Sequence, residues 1–208
     1  MANDSLPRAT LWRIPLYIQY LKDLPDGAPL NVSAPVIARG LSLGEVQVRK
    51  DLAMISGSGK PRTGYQRYQL LEDLERRLGY HDFTGAVLVG AGKLGRALLD
   101  YDGFEEFGIK VLAGFDRNEK TIRISGGRHV FPIGEIESFI GENNVQLGII
   151  TVGQGSAQEV CNRLVAAGVR AIWNFAPCAL SVPDGVLLKQ ENLALSLAHL
   201  NSQTKIKK

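Results

Sequence analysis

Six residues, Gly90-Ala91-Gly92-Lys93-Leu94-Gly95, constrain this chain more than any others, because they join an apolar run to a helical one. The run Ala86-Val-Leu-Val-Gly90 has strand length and β-branched content, and Lys93–Tyr101 has the pattern of a helix. At such a junction the first glycine permits a tight turn. The second lets the backbone approach a pyrophosphate, and the third lets the helix pack closely on its strand. Free N–H groups at the helix start then face the phosphate charge. The acid such a motif calls for is Asp116, 21 residues beyond Gly95 at the end of the next strand. A carboxylate there accepts ribose hydroxyls and repels a 2′-phosphate, which favours NAD(H) over NADP(H), although Arg117 beside it works the other way. The alternative is a fold whose glycines only make turns.

Further apolar runs extend the pattern. Ile109–Phe115, Val145–Thr151 and Val169–Trp173 read as strands, while Gly134–Ile140 and Ser156–Ala167 read as helices. Strands alternating with helices predict an α/β unit with a Rossmann-like, doubly wound parallel sheet. The first 80 residues differ, with short helices at Leu11–Leu24, Ala34–Leu41, Glu45–Ile55 and Tyr68–Leu78. The boundary falls near Gly79–Gly85. The expected organisation is an N-terminal domain over 1–80, a nucleotide domain over 85–190 and a terminal helix with a tail over 191–208.

The 45% hydrophobic content of these 208 residues is enough for a core, which excludes disorder as the main state. Two cysteines, Cys161 and Cys178, exclude a disulfide scaffold and suit a reducing cytosol. No apolar run reaches the roughly 18 residues of a spanning helix, and Met1–Thr10 lacks a signal-peptide layout. A cytoplasmic location without membrane or metal partners is expected. Hydride chemistry generally wants a proton donor or acceptor beside the nicotinamide. His81, His129 and His199 read as surface or packing residues, and both cysteines as buried structural ones. Binding without turnover is therefore expected, with an NAD-dependent oxidoreductase as the enzyme alternative.

Charge gathers in one place. From Arg39 to Arg67 there are six basic residues and two acidic ones, a local +4 against +3 for the whole chain. Such a surface attracts a polyanion. On a helical wheel Glu45–Ile55 puts Val48, Leu52 and Ile55 on one face, with Asp51 and Glu45 at its margins. The opposite face carries Val46, Lys50 and Ala53, flanked by Gln47, Met54 and Arg49. Lysine can reach phosphate or guanine, glutamine can read adenine, and valine or alanine can touch a thymine methyl. Ala34–Leu41 precedes it, with Ser33 as N-cap and Pro35 in the first turn, so the pair has helix-turn-helix proportions. The glycine-rich loop Ser56–Tyr65 then carries Lys60 and Arg62, as a wing would, with Tyr65 at its end. The expected partner is double-stranded DNA.

A winged helix followed by this glycine motif resembles the Rex family, bacterial repressors that sense the NADH/NAD balance. The resemblance runs over nearly the whole chain. It is carried by Gln47-Val-Arg-Lys-Asp-Leu52, Gly64-Tyr65, Gly95-Arg-Ala-Leu-Leu-Asp-Tyr101-Asp-Gly-Phe104 and Asn174-Phe-Ala-Pro177. It implies a homodimer on a pseudo-palindromic operator, released when NADH binds. It also implies that Tyr101, Thr151-Val152-Gly153 and Asn174-Phe175-Ala176-Pro177 line the nicotinamide end. A domain-swapped terminal helix is implied as well. That helix offers its own support: Leu193, Leu197 and Leu200 share one face and Leu195 points the opposite way, so two surfaces are needed to cover it. Burial within its own domain is the alternative. Lys205, Lys207 and Lys208 read as a solvated tail.

The departures from the family are specific. Rex proteins typically pair an arginine of the first helix with an aspartate at the start of the last, and an aromatic follows that aspartate. Here those positions are Gln19, Asn192 and Leu193. Pro61 replaces a usual arginine in the wing, and Gly153 stands where proline is common. The expected consequence is a coupling between nucleotide and DNA that is weakened or rewired. A constitutive DNA-binding protein with structural NAD(H) is the remaining alternative.

Overall fold

The computed structural model describes residues 6–80, 83–118, 124–125 and 128–206. His81, Lys207 and Lys208, and the side chain of Lys205, lie outside what is described. The chain divides into two compact units between residues 82 and 83.

In the first unit, α1 (Arg8–Lys22), β1 (Asn31–Val32), α2 (Ala34–Gly40), α3 (Glu45–Ser56), β2 (Tyr65–Gln66) and α4 (Arg67–Leu78) follow in order. Helix α1 begins three residues earlier than expected, where the Pro7 carbonyl accepts from the Thr10 and Leu11 N–H groups. It stops at Lys22 because Asp23 already has the C-cap position and Pro25 disfavours helix at the residue before it. Ile14, Tyr17, Ile18 and Leu21 repeat at helical spacing and meet Ile37, Val48, Leu52, Leu70 and Leu74 in one core. The two short strands pair antiparallel, Val32 opposite Tyr65. Between α3 and β2 a hairpin closes through the Lys60 and Gly64 backbones. Its tip is a tight turn in which the Thr63 N–H donates to the Lys60 carbonyl, with Pro61 first and Arg62 at φ 66° second. That is a type II turn. Proline suits its first position, and the arginine backbone takes a conformation usually left to glycine. Ser33 stands at the N-cap position of α2, but its side chain makes no capping bond, contrary to the expected cap.

The second unit runs β3 (Thr84–Val89), α5 (Lys93–Leu99), a 3-10 turn (Asp102–Phe107), β4 (Ile109–Asp116), β5 (Ile124–Ser125), β6 (Arg128–Pro132), a second 3-10 turn (Ile133–Glu135), α6 (Ile136–Asn143), β7 (Leu147–Ile150), α7 (Gln154–Ala166), β8 (Ala171–Asn174), β9 (Leu187–Gln190) and α8 (Leu193–Ile206). The sheet order is β5-β6-β4-β3-β7-β8-β9. All pairs are parallel except β5 with β6. The chain thus winds outward from β3 in one direction, then restarts beside β3 and winds in the other. Val87 and Val89 face one apolar core, Ala86 and Leu88 the other, as a strand covered on both sides requires. Strands β5, β6 and β9 are additions to the expected four. Their segments are short and mixed, Arg-His-Val-Phe-Pro and Leu-Leu-Lys-Gln, and β9 lies at the sheet edge, half-buried or exposed along its length.

Candidate functional site

The reversal of strand order places a crevice at the carboxyl ends of β3 and β7, where open α/β sheets bind ligands. A cavity of about 460 Å³ opens there. Its floor is the glycine loop. Gly90 has φ 103°, and a Cβ on it would stand 2.9 Å from the Thr151 backbone carbon. A Cβ on Gly95 would collide with the Gly90 carbonyl, so α5 can start this close to β3 only without one. Gly92 differs. A Cβ there would meet nothing within 4 Å, which leaves the backbone bare toward open space. Gly90 and Gly95 therefore fill the turn and packing parts expected of them. Thr151 Oγ1 donates to the carbonyls of Gly90 at 2.7 Å and Val89 at 3.1 Å, locking the neighbouring loop to the turn.

Among the residues expected to hold nucleotide, Gly90, Gly92, Asp116, Arg117, Thr151, Val152 and Gly153 line this cavity together. Asp116 ends β4 and accepts from the Ala91 N–H at 2.7 Å and the Asn118 N–H at 2.8 Å. Its carboxylate braces the glycine loop while keeping lone pairs for a hydroxyl. Ile133, Gly155, Ser156, Glu159, Val160 and Arg163 also line the cavity and were missed in the sequence. The available signal was position: once Thr151–Gly153 lies beside the glycine loop, the first turns of α7 must face the same space. Arg163 is forked onto Glu137 through bonds of 2.7 and 2.9 Å, which hold the Glu137 carboxyl below its ordinary range.

Ala91, Lys93, Leu94, Gly95, Tyr101 and Asn174–Pro177 do not line the cavity. Asn174 corrects its expectation most clearly. It is fully buried, donates to the carbonyls of Ala176 and Cys178 and to Gln190 Oε1, and accepts from the Ala176 N–H. Its amide shapes the turn after β8 and is consumed by doing so. Ala176 is buried too. Tyr101, by contrast, is exposed and packs edge-on against Phe104, which meets Trp173, which meets Phe175. His129 stacks on Phe131, and Cys161 is buried with burial pushing its thiol up.

In the first unit, a groove of about 410 Å³ lies between α3 and the wing, lined by Arg49, Lys60, Arg62 and the start of α2. Val46, Gln47, Arg49 and Lys50 are exposed along α3, while Val48 and Leu52 are buried. Two expectations need correcting. Tyr65 is only 8% exposed and belongs to the core, its ring lying where a Cβ on Gly59 would stand at 2.8 Å. It anchors the wing from beneath. Arg67, counted among the surface cations, is likewise buried, donating to the carbonyls of Leu24 and Pro25.

Asp51, placed at a helix margin, is a buried carboxylate of this unit. It accepts from Arg13 Nε at 2.7 Å and Nη2 at 3.0 Å, from Tyr17 Oη at 2.6 Å and from Thr10 Oγ1 at 3.0 Å. Burial works to raise its pKa, but the Arg13, Tyr17 and Thr10 hydrogen bonds outweigh it and hold the carboxyl below the ordinary range. Burial, with Asp51 beside it, pushes the Tyr17 hydroxyl up. The network pins α3 onto α1.

The positions implied for coupling are occupied within this chain. Gln19 Nε2 donates to Asp23 Oδ1 at 2.8 Å, and Asn192 Oδ1 accepts from the Leu195 N–H at 3.0 Å, capping α8. Leu193, Leu195, Leu197 and Leu200 are all exposed, from 59% to 68%. The alternative of burial within its own unit does not hold for these leucines. Among the described residues no helix is long and apolar enough to cross a membrane, and no His, Cys, Asp and Glu cluster could hold a metal.

A winged helix and a switch-point nucleotide crevice on one chain define the class of ligand-responsive transcription factor. Residues 5–53 match a family model described as a putative DNA-binding protein N-terminus, and residues 82–178 one described as a CoA binding domain. The redox-sensing transcriptional repressor Rex of Carboxydothermus hydrogenoformans is 39% identical over 95% of each chain. Rex of Treponema denticola is 36% identical over the full length of both. The fold matches RSP in complex with β-NAD+ and operator DNA at a TM-score of 0.89 and 30% identity, covering 98% of this chain and 94% of that one. RSP in complex with β-NADH matches at 0.85 and 30% identity. The chain belongs to the Rex family of redox-sensing transcriptional repressors.

Proposed function

We propose that this chain is a cytoplasmic, non-enzymatic repressor that binds double-stranded operator DNA as a homodimer and is released by NADH. The observation that carries the reading is the switch-point cavity with a bare Gly92 backbone and the Asp116 carboxylate at its edge. These residues fit a dinucleotide: Gly90–Gly95 would receive the pyrophosphate, Asp116 the ribose, and Tyr101 with Thr151–Gly153 the nicotinamide side. Bound nucleotide supplies the redox signal, and the chain's own groups supply orientation. Val46, Gln47, Arg49 and Lys50 would enter the major groove, with Lys60 and Arg62 on phosphate. The exposed leucines of α8 favour a second copy as their cover, because a helix apolar on more than one side is unstable in water.

Both amides at the coupling positions already have partners in their own chain, which favours a weakened response. A neutral contact there lacks the charge assistance that roughly doubles a hydrogen bond. A band-shift of a selected duplex with NAD+, NADH or neither tests the function. The complex is expected to persist with NAD+ and to fall away with NADH. Steady NADH turnover with a simple carbonyl compound would favour the oxidoreductase, and a complex unchanged in all three states the constitutive binder.

A further inference from the structure

Gln47 and Asp51 stand one turn apart on α3 and share a partner, Arg13 of α1. Asp51 holds the inner edge of the guanidinium through two bonds and is itself held by Tyr17 and Thr10, so Arg13 is fixed in place. The outer edge meets the Gln47 amide. Only an acceptor satisfies the two N–H groups there, so the amide oxygen faces Arg13, 2.8 Å from Nη2 and 3.2 Å from Nη1. Gln47 is itself an exposed side chain, and its amide nitrogen is the end turned away from Arg13.

We propose that the Asp51–Arg13 clamp makes Gln47 a donor-only reading residue, selecting guanine or thymine over adenine at the base it contacts. The inference rests on the reading that α3 enters the major groove. A free glutamine amide recognises adenine with both ends, accepting from N6 and donating to N7. Here the oxygen is committed to a cation, and releasing it would forfeit charge-assisted bonds. The NH2 group remains, and it suits guanine, which offers O6 and N7, or thymine O4; adenine N7 can accept as well, but the N6 donor beside it then finds no acceptor on Gln47. Gln47 thus contacts the base, and Arg13 is a positioning residue.

Selection of duplexes from a random pool by the full-length chain at fixed salt tests this, repeated with Gln47→Ala, Gln47→Glu and Arg13→Lys. The wild type is expected to show one position where guanine or thymine is preferred over adenine by about tenfold, the scale of one good base contact. Gln47→Ala should flatten that position and leave its neighbours unchanged. Gln47→Glu, which only accepts, should turn it toward cytosine or adenine. Arg13→Lys keeps a cation for Asp51 but loses the second arm of the fork, so the freed amide should shift the preference toward adenine. Should Arg13→Lys fail to fold in a melting experiment, Gln47→Glu at its exposed position carries the test alone. Adenine preferred by the wild type at the Gln47-dependent position overturns the inference. So does a folded Arg13→Lys variant, or Gln47→Glu, with an unaltered preference, or Gln47→Ala leaving every position as it was. A pool with no enriched duplex overturns the DNA-binding reading beneath it, a separate failure recognisable because no position acquires any preference.

Discussion

The two units hold their functional segments in opposite ways. In the first, α3 is pinned by a side-chain network around one buried carboxylate, Asp51. In the second, the glycine loop is formed by leaving side chains out, so that Gly90, Gly95 and the Thr151 segment can touch through backbone. One depends on charge being fully paired and the other on space being empty. The first should therefore respond to pH, and the second to a single methyl group.

Asp51→Ala should show the largest effect. It strands the Arg13 charge and two hydroxyls, and breaking a buried pair from one side costs about 3–5 kcal/mol. Denaturant unfolding of the first unit measures it. The sign with pH follows from the lowered carboxyl pKa: Asp51 contributes full stability above its unfolded value of about 3.9, and loses it as pH falls through the lower folded value. An acid titration of Asp51→Asn should lack that step. Persistence of the step would mean that another carboxylate causes it.

A matched pair of glycine variants comes next. Gly95→Ala should cost about 1–3 kcal/mol, the usual toll of overpacking, and should abolish nucleotide binding. Gly92→Ala has room for its methyl, so it should leave the melting temperature unchanged while weakening NADH binding, read by nucleotide fluorescence. Equal effects of the two on stability would break the division between a packing glycine and an approach glycine.

Smaller effects sharpen the link between units. Gln19→Arg with Asn192→Asp should enlarge the NADH-dependent loss of DNA affinity by a few-fold, on the view that charge assistance about doubles such a contact. Lys60→Ala should lower the slope of log affinity against log salt by about 1 without changing base preference.

The contrast also explains what could be read in advance. Gly90 and Gly95 were legible because their backbone requirements exclude other side chains, and Gly92 because it stands between them at the motif's spacing. The four central parallel strands were legible because β-branched runs between glycines have few alternatives. Asp51 was not, since its partners Thr10, Arg13 and Tyr17 lie more than 30 residues away and a charged residue on a helical wheel reads as surface. Tyr65 and Arg67 misled for the converse reason. Each side chain has a polar end suited to DNA, yet the β1–β2 pairing and the Leu24–Pro25 carbonyls bring both inside. Asn174 shows the same limit, a polar residue at a strand end whose bonds all turn inward.

Operator affinity measured by fluorescence anisotropy at fixed salt and fixed total nucleotide, with the NADH share raised stepwise, addresses the central claim directly. A complex that weakens steadily as NADH replaces NAD+ is the expected result. Identical affinity at every ratio would contradict the account.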